Sequence, residues 1–174
     1  EPDRLVAVWQ STPGYSRMEY SPGNYRDLKA MARSFEGMAA HTGSAGNLVG
    51  VGEPRRLSLA SVTPDLMPLL RVRPLIGRTI TPEDSGNPRV IVLSYGLWQS
   101  QFGGDPGVIG TGVRLDDSPV TVIGVMPPSF LFPFRDVQGW RPLVMPEQMF
   151  LNRADNYVEV VARLRPGVTV QSAH

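Results

Sequence analysis

The sequence predicts an α+β fold that is rich in strands and loops. Its 174 residues suit one domain, or one domain in two lobes, and such a chain buries about two-thirds of its unfolded surface. Apolar residues make up 41% and charged residues 19%, which is a globular balance. Because glycine (18) and proline (17) are unusually frequent, we expect an ordered chain with short strands and many turns.

Charge and cysteine content narrow the class of function. The net charge is +1, so the chain carries no nucleic-acid-binding footprint. Lys29 is the single lysine among 17 basic residues, and codon bias explains this more simply than arginine-specific recognition does. The absence of cysteine excludes disulfides, thiolate metal sites and a cysteine nucleophile.

Membrane and targeting signals are not visible in these residues. No apolar run approaches the roughly 18–20 residues that a membrane span needs, and we identify no signal peptide. Because Glu1 is not an initiator methionine, we expect the chain to be a piece of a longer protein.

The first forty residues predict a strand, a loop and a helix. Residues 3–9 alternate apolar and polar side chains, as strands do, whereas residues 10–20 are typical of a polar loop. Ser21 is the predicted N-cap of the helix, with Pro22 in its first position and Gly37 at its end. Its buried face is predicted from helical spacing to comprise Tyr25, Leu28, Met31, Ala32 and Phe35.

The middle of the chain predicts short strands and a short helix. Strands are predicted over residues 38–43, 47–52 and 55–62. The helix over residues 63–70 has Thr63 as its cap, and Pro68 limits its length. Residues 71–88 are expected to be irregular.

The second half predicts a compact series of elements. A buried strand over residues 90–93 leads through Ser94 into a helix that stops at Gly103. The further predicted elements are strands 111–115 and 119–126 joined around Asp116–Asp117, an ordered loop 127–146, a strand 156–164 and a helix capped by Thr169.

Ser94 sits where a hydrolase would place its nucleophile, between a strand and a helix. A nucleophile elbow needs glycine two residues before and two residues after the serine. Gly96 meets the second requirement, but Val92 occupies the first position. A serine nucleophile also needs a base. The histidines of the chain are His41 and His174, and neither lies near Ser94 in the sequence. We therefore interpret Ser94 as a helix cap.

Phosphate, metal and carboxylate chemistry are also not predicted. A phosphate loop precedes a helix, whereas Gly103–Gly104 follows one. The adjacent acids Glu83/Asp84 and Asp116/Asp117 lie in turn-like contexts, and His41 has no local partner ligand. We expect no catalytic residues, no metal and no cofactor. Trp98, Phe102, Phe130 and Phe132 are instead expected to serve packing.

Three stretches carry a resemblance to a known family. They are RPLIGRTITPED (73–84), RVIVLSYGLWQSQFGGDPGVIGTGVRLDDSPVTVIGVMPPSFLFP (89–133) and VVARLRPGVTV (160–170). Together they resemble the periplasmic core domain of MacB-like ABC transporter permeases, which are relatives of the FtsX-type permeases. SPGNYRDLKAMARSFEGMAA (21–40) is similar to the first extracytoplasmic helix of that family. The resemblance covers nearly the whole chain.

The resemblance implies a two-lobed fold. A porter-like βαβ lobe is expected to comprise residues 1–42 and 155–174, with a strand-rich, mixed α/β lobe inserted at residues 43–154. Two residues depart from the family pattern, since Arg71 and Asp117 stand where glycine is usual. Both positions are therefore expected to have positive φ.

The resemblance also implies a role and partners. The domain would project from the periplasmic side of the cytoplasmic membrane, within a multi-pass permease dimer. It would pass motion, driven by a cytoplasmic ABC ATPase, to a periplasmic adaptor or a cargo for export. Segments 81–88 and 127–146 are the candidate contact loops, and the isolated domain is expected to be a monomer. The alternative is a free periplasmic binding or adaptor module.

Overall fold

Most of the strands join one mixed sheet. The computed structural model describes residues 2–173, in which nine strands form this sheet and two form a separate hairpin. The sheet order is β1-β11-β4-β5-β10-β7-β9-β6, and β8 pairs with both β4 and β9. The sheet strands are β1 (Leu5–Val8), β4 (Phe35–Val49), β5 (Arg55–Val62), β6 (Ile76–Gly77), β7 (Val90–Leu93), β8 (Gly112–Leu115), β9 (Ser118–Val125), β10 (Gly139–Pro142) and β11 (Glu159–Leu164). The helices are α1 (Pro22–Met31), α2 (Leu66–Leu70) and α3 (Tyr95–Phe102).

β4 is the longest strand, and its two halves pair with different strands. Its first half pairs with β11, from Phe35 opposite Leu164 to His41 opposite Glu159. Its second half pairs with β5, from His41 opposite Val62 to Leu48 opposite Arg55. The sequence analysis divided this segment into separate strands over 38–43 and 47–52, which is wrong. The chain runs on as one strand because β11 pairs with residues 35–41 and β5 takes over at residues 41–48.

Three clusters of buried side chains fill the structure. The terminal core comprises Tyr20, Tyr25, Met38, Ala40, Val158, Val160 and Ala162. The α3 core comprises Leu48, Leu57, Leu59, Ile91, Leu93, Leu97, Trp98, Val108, Val113, Leu115, Val120, Val122 and Val125. The central core comprises Ala39, Ala60, Val62, Leu66, Met67, Leu69, Ile80, Val90, Val92, Ile123, Met126, Phe130, Val137, Trp140 and Val161.

Helix α1 begins as predicted and ends early. The Ser21 Oγ accepts the N–H of Asn24 at 3.2 Å, and Pro22 occupies the first position. The helix ends at Met31 with Ala32 as its C-cap, so the predicted end at Gly37 is wrong, and Phe35 belongs to β4. Met31 is 72% exposed rather than part of the buried face. Pairing of β4 with β11 competes successfully with continued helix formation.

Two segments predicted as loops contain strands. Residues 10–20 hold a hairpin formed by β2 (Gln10–Thr12) and β3 (Tyr15–Met18). Segment 127–146 contains β10, which lies inside the sheet between β5 and β7. Gly139 fits closely there, because a Cβ would approach the Val92 carbonyl oxygen to 3.1 Å.

The predicted turns are partly confirmed. Arg71 has φ 56° and ends α2 in the left-handed region, as expected. In the β8–β9 turn, however, Asp116 has the positive φ (54°), and Asp117 does not. The Asp116 side chain accepts both the backbone N–H and the side-chain amide of Asn47 at 2.9 Å, which favours this residue at the strained position. Thr63 does not cap α2 either, because its Oγ accepts the Ala40 N–H.

The strand–helix unit around Ser94 is as predicted. The Ser94 Oγ accepts the Leu97 N–H at 3.1 Å, and Gly103 ends α3 with φ 62°. Trp98 is 7% exposed, and its indole N–H donates to the Asp105 carbonyl at 2.9 Å. Phe102 is half-buried against the α3 core. Thr169 caps a single 3₁₀ turn over Val170–Ser172.

Candidate functional site

Ser94 has no catalytic partner among the described residues. Its hydroxyl is used as the α3 cap, and no hydrogen bond joins it to His41 within residues 2–173. His174 lies outside the described residues. The arrangement is therefore that of a helix start, in agreement with the sequence analysis.

His41 is buried in the sheet and packs against an aromatic ring. Its side chain meets the Phe132 ring edge-on, with ring centroids 5.0 Å apart, and its Nδ1 lies 3.9 Å from a Glu159 carboxylate oxygen. Burial lowers the pKa of His41 to about 4, so the ring is neutral at pH 7. It therefore packs as a neutral aromatic side chain.

The acidic pairs hold turns together. Asp84 is buried and accepts two hydrogen bonds from the Arg78 guanidinium, at 2.6 and 3.0 Å, and a third from the Thr81 N–H. The Arg78 guanidinium holds the pKa of Asp84 below its usual value. Across residues 2–173, no three histidine or acidic side chains are grouped as a metal ion would require.

An open groove lies beside α3. It has a volume of ≈ 890 Å³. Its walls come from residues 44–45 of β4, residues 55–58 of β5, the first turn of α3 and the loop 127–138.

The groove exists because β10 is shorter than β5, the strand with which it pairs in parallel. β10 begins at Gly139 opposite Leu59, so residues 55–57 of β5 extend beyond it. On the other side, the chain leaves the sheet at the end of β7 and enters α3. The gap between β5 and α3 is therefore a place where the sheet is missing a strand.

Positive charge predominates along the groove. Arg55, Arg56 and Arg135 line it and are exposed, whereas Asp136 is the acidic residue in its lining. None of these arginines forms an ion pair within residues 2–173. Leu131 is 46% exposed in the same lining and adds apolar surface.

A smaller pair of clefts lies beside α1. They have volumes of ≈ 370 and ≈ 390 Å³ and share Tyr25 and Lys29. The Lys29 ammonium donates to Asp65 at 2.6 Å, so the charge here is neutralised. Ser85 and Gly86 line the second cleft together with residues 143–146.

Of the two candidate contact segments, β10 divides 127–146, and its first part, loop 127–138, lies at the opposite end of β7 from segment 81–88. β7 and β10 are antiparallel, with Leu93 opposite Gly139. Segment 81–88 precedes β7 and lies beside the residues that follow β10, whereas loop 127–138 precedes β10. The sequence did not predict that these two segments lie apart, because their positions depend on β10, which was predicted as part of a loop.

No helix within residues 2–173 has both the length and the apolar character that crossing a bilayer requires.

Comparison with known proteins gives one family and several related folds. The family model of the MacB-like periplasmic core domain matches residues 1–174. No curated protein matches the chain.

Solved structures share the fold at low sequence identity. A permease-protein domain from Porphyromonas gingivalis is 19% identical, with TM-score 0.77, and the match covers 98% of this chain and 79% of that one. The periplasmic region of MacB from Actinobacillus actinomycetemcomitans is 14% identical, with TM-score 0.72 and coverage of 97% and 77%. The extracellular domain of YknZ, a noncanonic ABC-type transporter from Gram-positive bacteria, is 18% identical, with TM-score 0.68 and coverage of 97% and 86%.

Proposed function

The chain belongs to the family of MacB-like periplasmic core domains, and we propose that it transmits ATP-driven motion to a partner protein or cargo outside the membrane. Domains of this family are extracytoplasmic parts of ABC transporter permeases, which work with an ABC ATPase. In this proposal the chain lies on the periplasmic side of the cytoplasmic membrane, within a multi-pass permease dimer. ATP is hydrolysed on the cytoplasmic side, and this domain is not catalytic.

The observation that carries the proposal is the course of β4. Phe35 lies beside the strands at the two ends of the chain, since it pairs with Leu164 of β11, which also pairs with β1. Val49 lies next to the turn that leads into the groove wall at Arg55. A strand of this length spans about 45 Å, so a single element connects the chain ends with the groove.

We also propose that the two-lobe division applies to this chain. The terminal core draws its residues from 1–42 and 155–174, and the α3 core draws its residues from 43–154. The central core takes Ala39 and Val161 from the first lobe and its other members from the second. The lobes in this proposal are therefore packed together through a shared core.

Loop 127–138 is the partner-facing segment in this proposal. Its last residue, Gln138, is hydrogen-bonded to Ser58 of β5, and the loop lines an exposed groove with unneutralised arginines. Segment 81–88 lies beside a cleft whose lysine is neutralised by Asp65. A periplasmic adaptor would accordingly contact loop 127–138 before it contacts 81–88.

Distance measurements in the complete permease test the transmission of motion. These 174 residues contain no cysteine, so a spin label can be placed at Asp136→Cys near the groove or at Asp3→Cys near the chain ends. Both positions are exposed. In the membrane-embedded dimer with its ATPase, we expect the inter-protomer distance at position 136 to change on ATP binding, and to change more than that at position 3.

Equal distances with and without ATP at both positions would contradict the proposal. A protein with no membrane part, purified from the periplasm in free form, would favour the alternative of a separate binding module. In this proposal the permease dimer is held by its membrane and ATPase parts. The isolated 174-residue chain should therefore be a monomer by light scattering.

A further inference from the structure

We propose that the groove beside α3 binds an extended, acidic segment of a partner protein, which adds to the open edge of β5 as a short extra strand. This inference rests on the proposed function, because it names the chemistry of the partner that the domain contacts. It depends on three features of the groove: an unpaired strand edge, unneutralised arginines and exposed apolar surface.

The open edge of β5 is centred on Arg56. The Ser58 C=O accepts the Gln138 N–H at 2.8 Å, and the Ser58 N–H donates to the Gln138 Oε1 at 3.1 Å. Both backbone groups of Ser58 therefore point away from β4. Because this orientation repeats every second residue along an antiparallel strand, the N–H and C=O of Arg56 point the same way.

The partner of Arg56 in β4 supports this orientation independently. Asn47 lies opposite Arg56 in the β4–β5 register. Its backbone N–H donates to the Asp116 carboxylate at 2.9 Å, and its C=O accepts the Asp116 N–H at 2.8 Å. Asn47 therefore bonds on its other side, and no hydrogen bond within residues 2–173 reaches the backbone groups of Arg56. A strand continuing the line of β10 would satisfy both groups.

The charge of the groove selects an acidic occupant. Arg55 and Arg56 lie on one wall and Arg135 lies on the other, with Asp136 as the acidic lining residue. The whole chain has a net charge of only +1, so this excess is local. The first turn of α3 lines the same groove, and the partial positive charge of a helix N-terminus adds to the field. Clefts lined by one sign of charge concentrate ligands of the opposite sign.

The apolar lining and the strand edge together favour a polypeptide. Leu131, Pro127 and Tyr95 offer apolar surface beside the arginines. Side chains of an added strand alternate between two faces, so an occupant that alternates acidic and apolar residues matches both parts of the lining. A lipid headgroup or a free anion would neutralise the arginines but would leave the Arg56 N–H and C=O unpaired.

Peptide binding to the 174-residue chain tests the inference. The probe is a fluorescein-labelled peptide, Asp-Val-Glu-Val-Glu-Val-Asp, followed by fluorescence anisotropy at low salt. We expect the variant Arg55→Glu/Arg56→Glu to weaken binding by about tenfold or more, and Arg135→Glu to weaken it less. The matched control, Arg73→Glu/Arg89→Glu, makes the same change of charge at exposed arginines outside the groove and should retain binding.

A second peptide tests the added strand separately from the charge. The same sequence with N-methyl groups on alternate amides keeps its acidic side chains but cannot pair along a strand edge. We expect it to bind about tenfold more weakly than the parent peptide. Thermal unfolding followed by circular dichroism should show that every variant is folded.

Three results would overturn the inference. One is equal binding of the acidic peptide and a version with lysine at each acidic position. Another is equal loss of binding in the groove variant and the matched control. The third is binding of phosphatidylglycerol vesicles that depends on Arg55 and Arg56 when the peptide does not bind. Each can occur while the ATP-dependent distance change at position 136 remains, so failure here is distinguishable from failure of the proposed function.

Discussion

The terminal core and the α3 core differ in how the chain assembles them. The α3 core draws all its residues from one continuous stretch, between Leu48 and Val125. The terminal core forms only when Tyr20, Tyr25 and the start of β4 meet β11, near the other end of the chain. Contacts between distant residues require a long loop to close, which costs conformational entropy before the contacts stabilise it. The side chains of the α3 core therefore meet through shorter loops than those of the terminal core.

The two regions also differ in how their surface charge is balanced. Around α1 and the chain ends, Lys29 pairs with Asp65, Arg153 with Asp27 and Arg4 with Glu36. At the groove beside the α3 core, the arginines form no ion pair within the described chain. Exposed ion pairs add at most about 1 kcal/mol each to stability. The difference in ion pairing therefore has little effect on the stability of each region. It has a larger effect on the charge of the ligands that each surface attracts.

Trp140→Ala tests whether the two regions unfold together. Trp140 is fully buried in the central core, and its indole N–H donates to the Phe132 carbonyl at 2.8 Å. Its removal should lower the free energy of unfolding by about 3–5 kcal/mol, measured by urea denaturation. The strands that carry the terminal core and the α3 core also carry central-core residues, such as Ala39 and Val92, so hydrogen-exchange protection should fall in both regions.

The control for this variant is Trp9→Ala. Because Trp9 is 39% exposed, this substitution should lower the free energy of unfolding far less. Protection lost only around the α3 core would show that the two regions unfold separately, contrary to this expectation.

His41 tests the boundary between the regions, because it lies where β4 passes from β11 to β5. Burial lowers its pKa to about 4 from an unfolded value near 6.5. The unfolded chain therefore takes up a proton that the folded chain resists. The free energy of unfolding should be insensitive to this group above pH 6.5 and should fall as the pH drops from 6.5 to about 4. The full loss should be on the order of 3 kcal/mol.

The comparison variant is His41→Phe, which keeps an aromatic ring against Phe132 and does not titrate. The stability of the variant should change less than that of the parent chain between pH 6.5 and about 4. Identical pH profiles for the two proteins would rule out His41 as the source of the acid sensitivity.

Ser21→Ala and Ser94→Ala compare the same interaction in the two regions. Each serine caps a helix, through the N–H of Asn24 or Leu97. Each substitution should lower the free energy of unfolding, measured by urea denaturation, by about 1 kcal/mol. The loss should be larger for Ser21→Ala, because Ser21 is fully buried whereas Ser94 is half-buried. The exposed Ser16 on β3 provides the control, and its substitution by alanine should have little effect. If Ser94→Ala cost no more than Ser16→Ala, the cap at α3 would contribute nothing.

The sequence predicted the α3 region well because its signals are local. A buried strand, the Ser94 cap and the Gly103 stop lie within one short stretch and were all confirmed. Around the terminal core, Phe35 continues the helical spacing but is taken into β4 by pairing with Leu164. Distant pairing of this kind leaves no trace in the local pattern.

The groove could not be predicted from the sequence. Arg55 and Arg56 are visible as a basic pair, but the approach of Arg135 depends on β10. Gly139 and Pro142 are unusual in a strand, and β10 forms because β5 and β7 bind it from both sides. The open edge at Arg56 follows from where β10 begins, which is a property of the assembled sheet.

In the proposed transmission of motion, the length of β4 would make it a rigid arm. Its residues are hydrogen-bonded in turn to β11, β5 and β8, which resists bending along most of its course. With an arm of about 45 Å, a tilt of about 5° at Phe35 displaces Val49 sideways by about 4 Å. A displacement of that size approaches the spacing between two neighbouring strands, about 4.8 Å. In the proposed function, a small rotation beside the chain ends would therefore move the far half of β4, together with the groove wall of β5 that is bonded to it, by nearly one strand spacing.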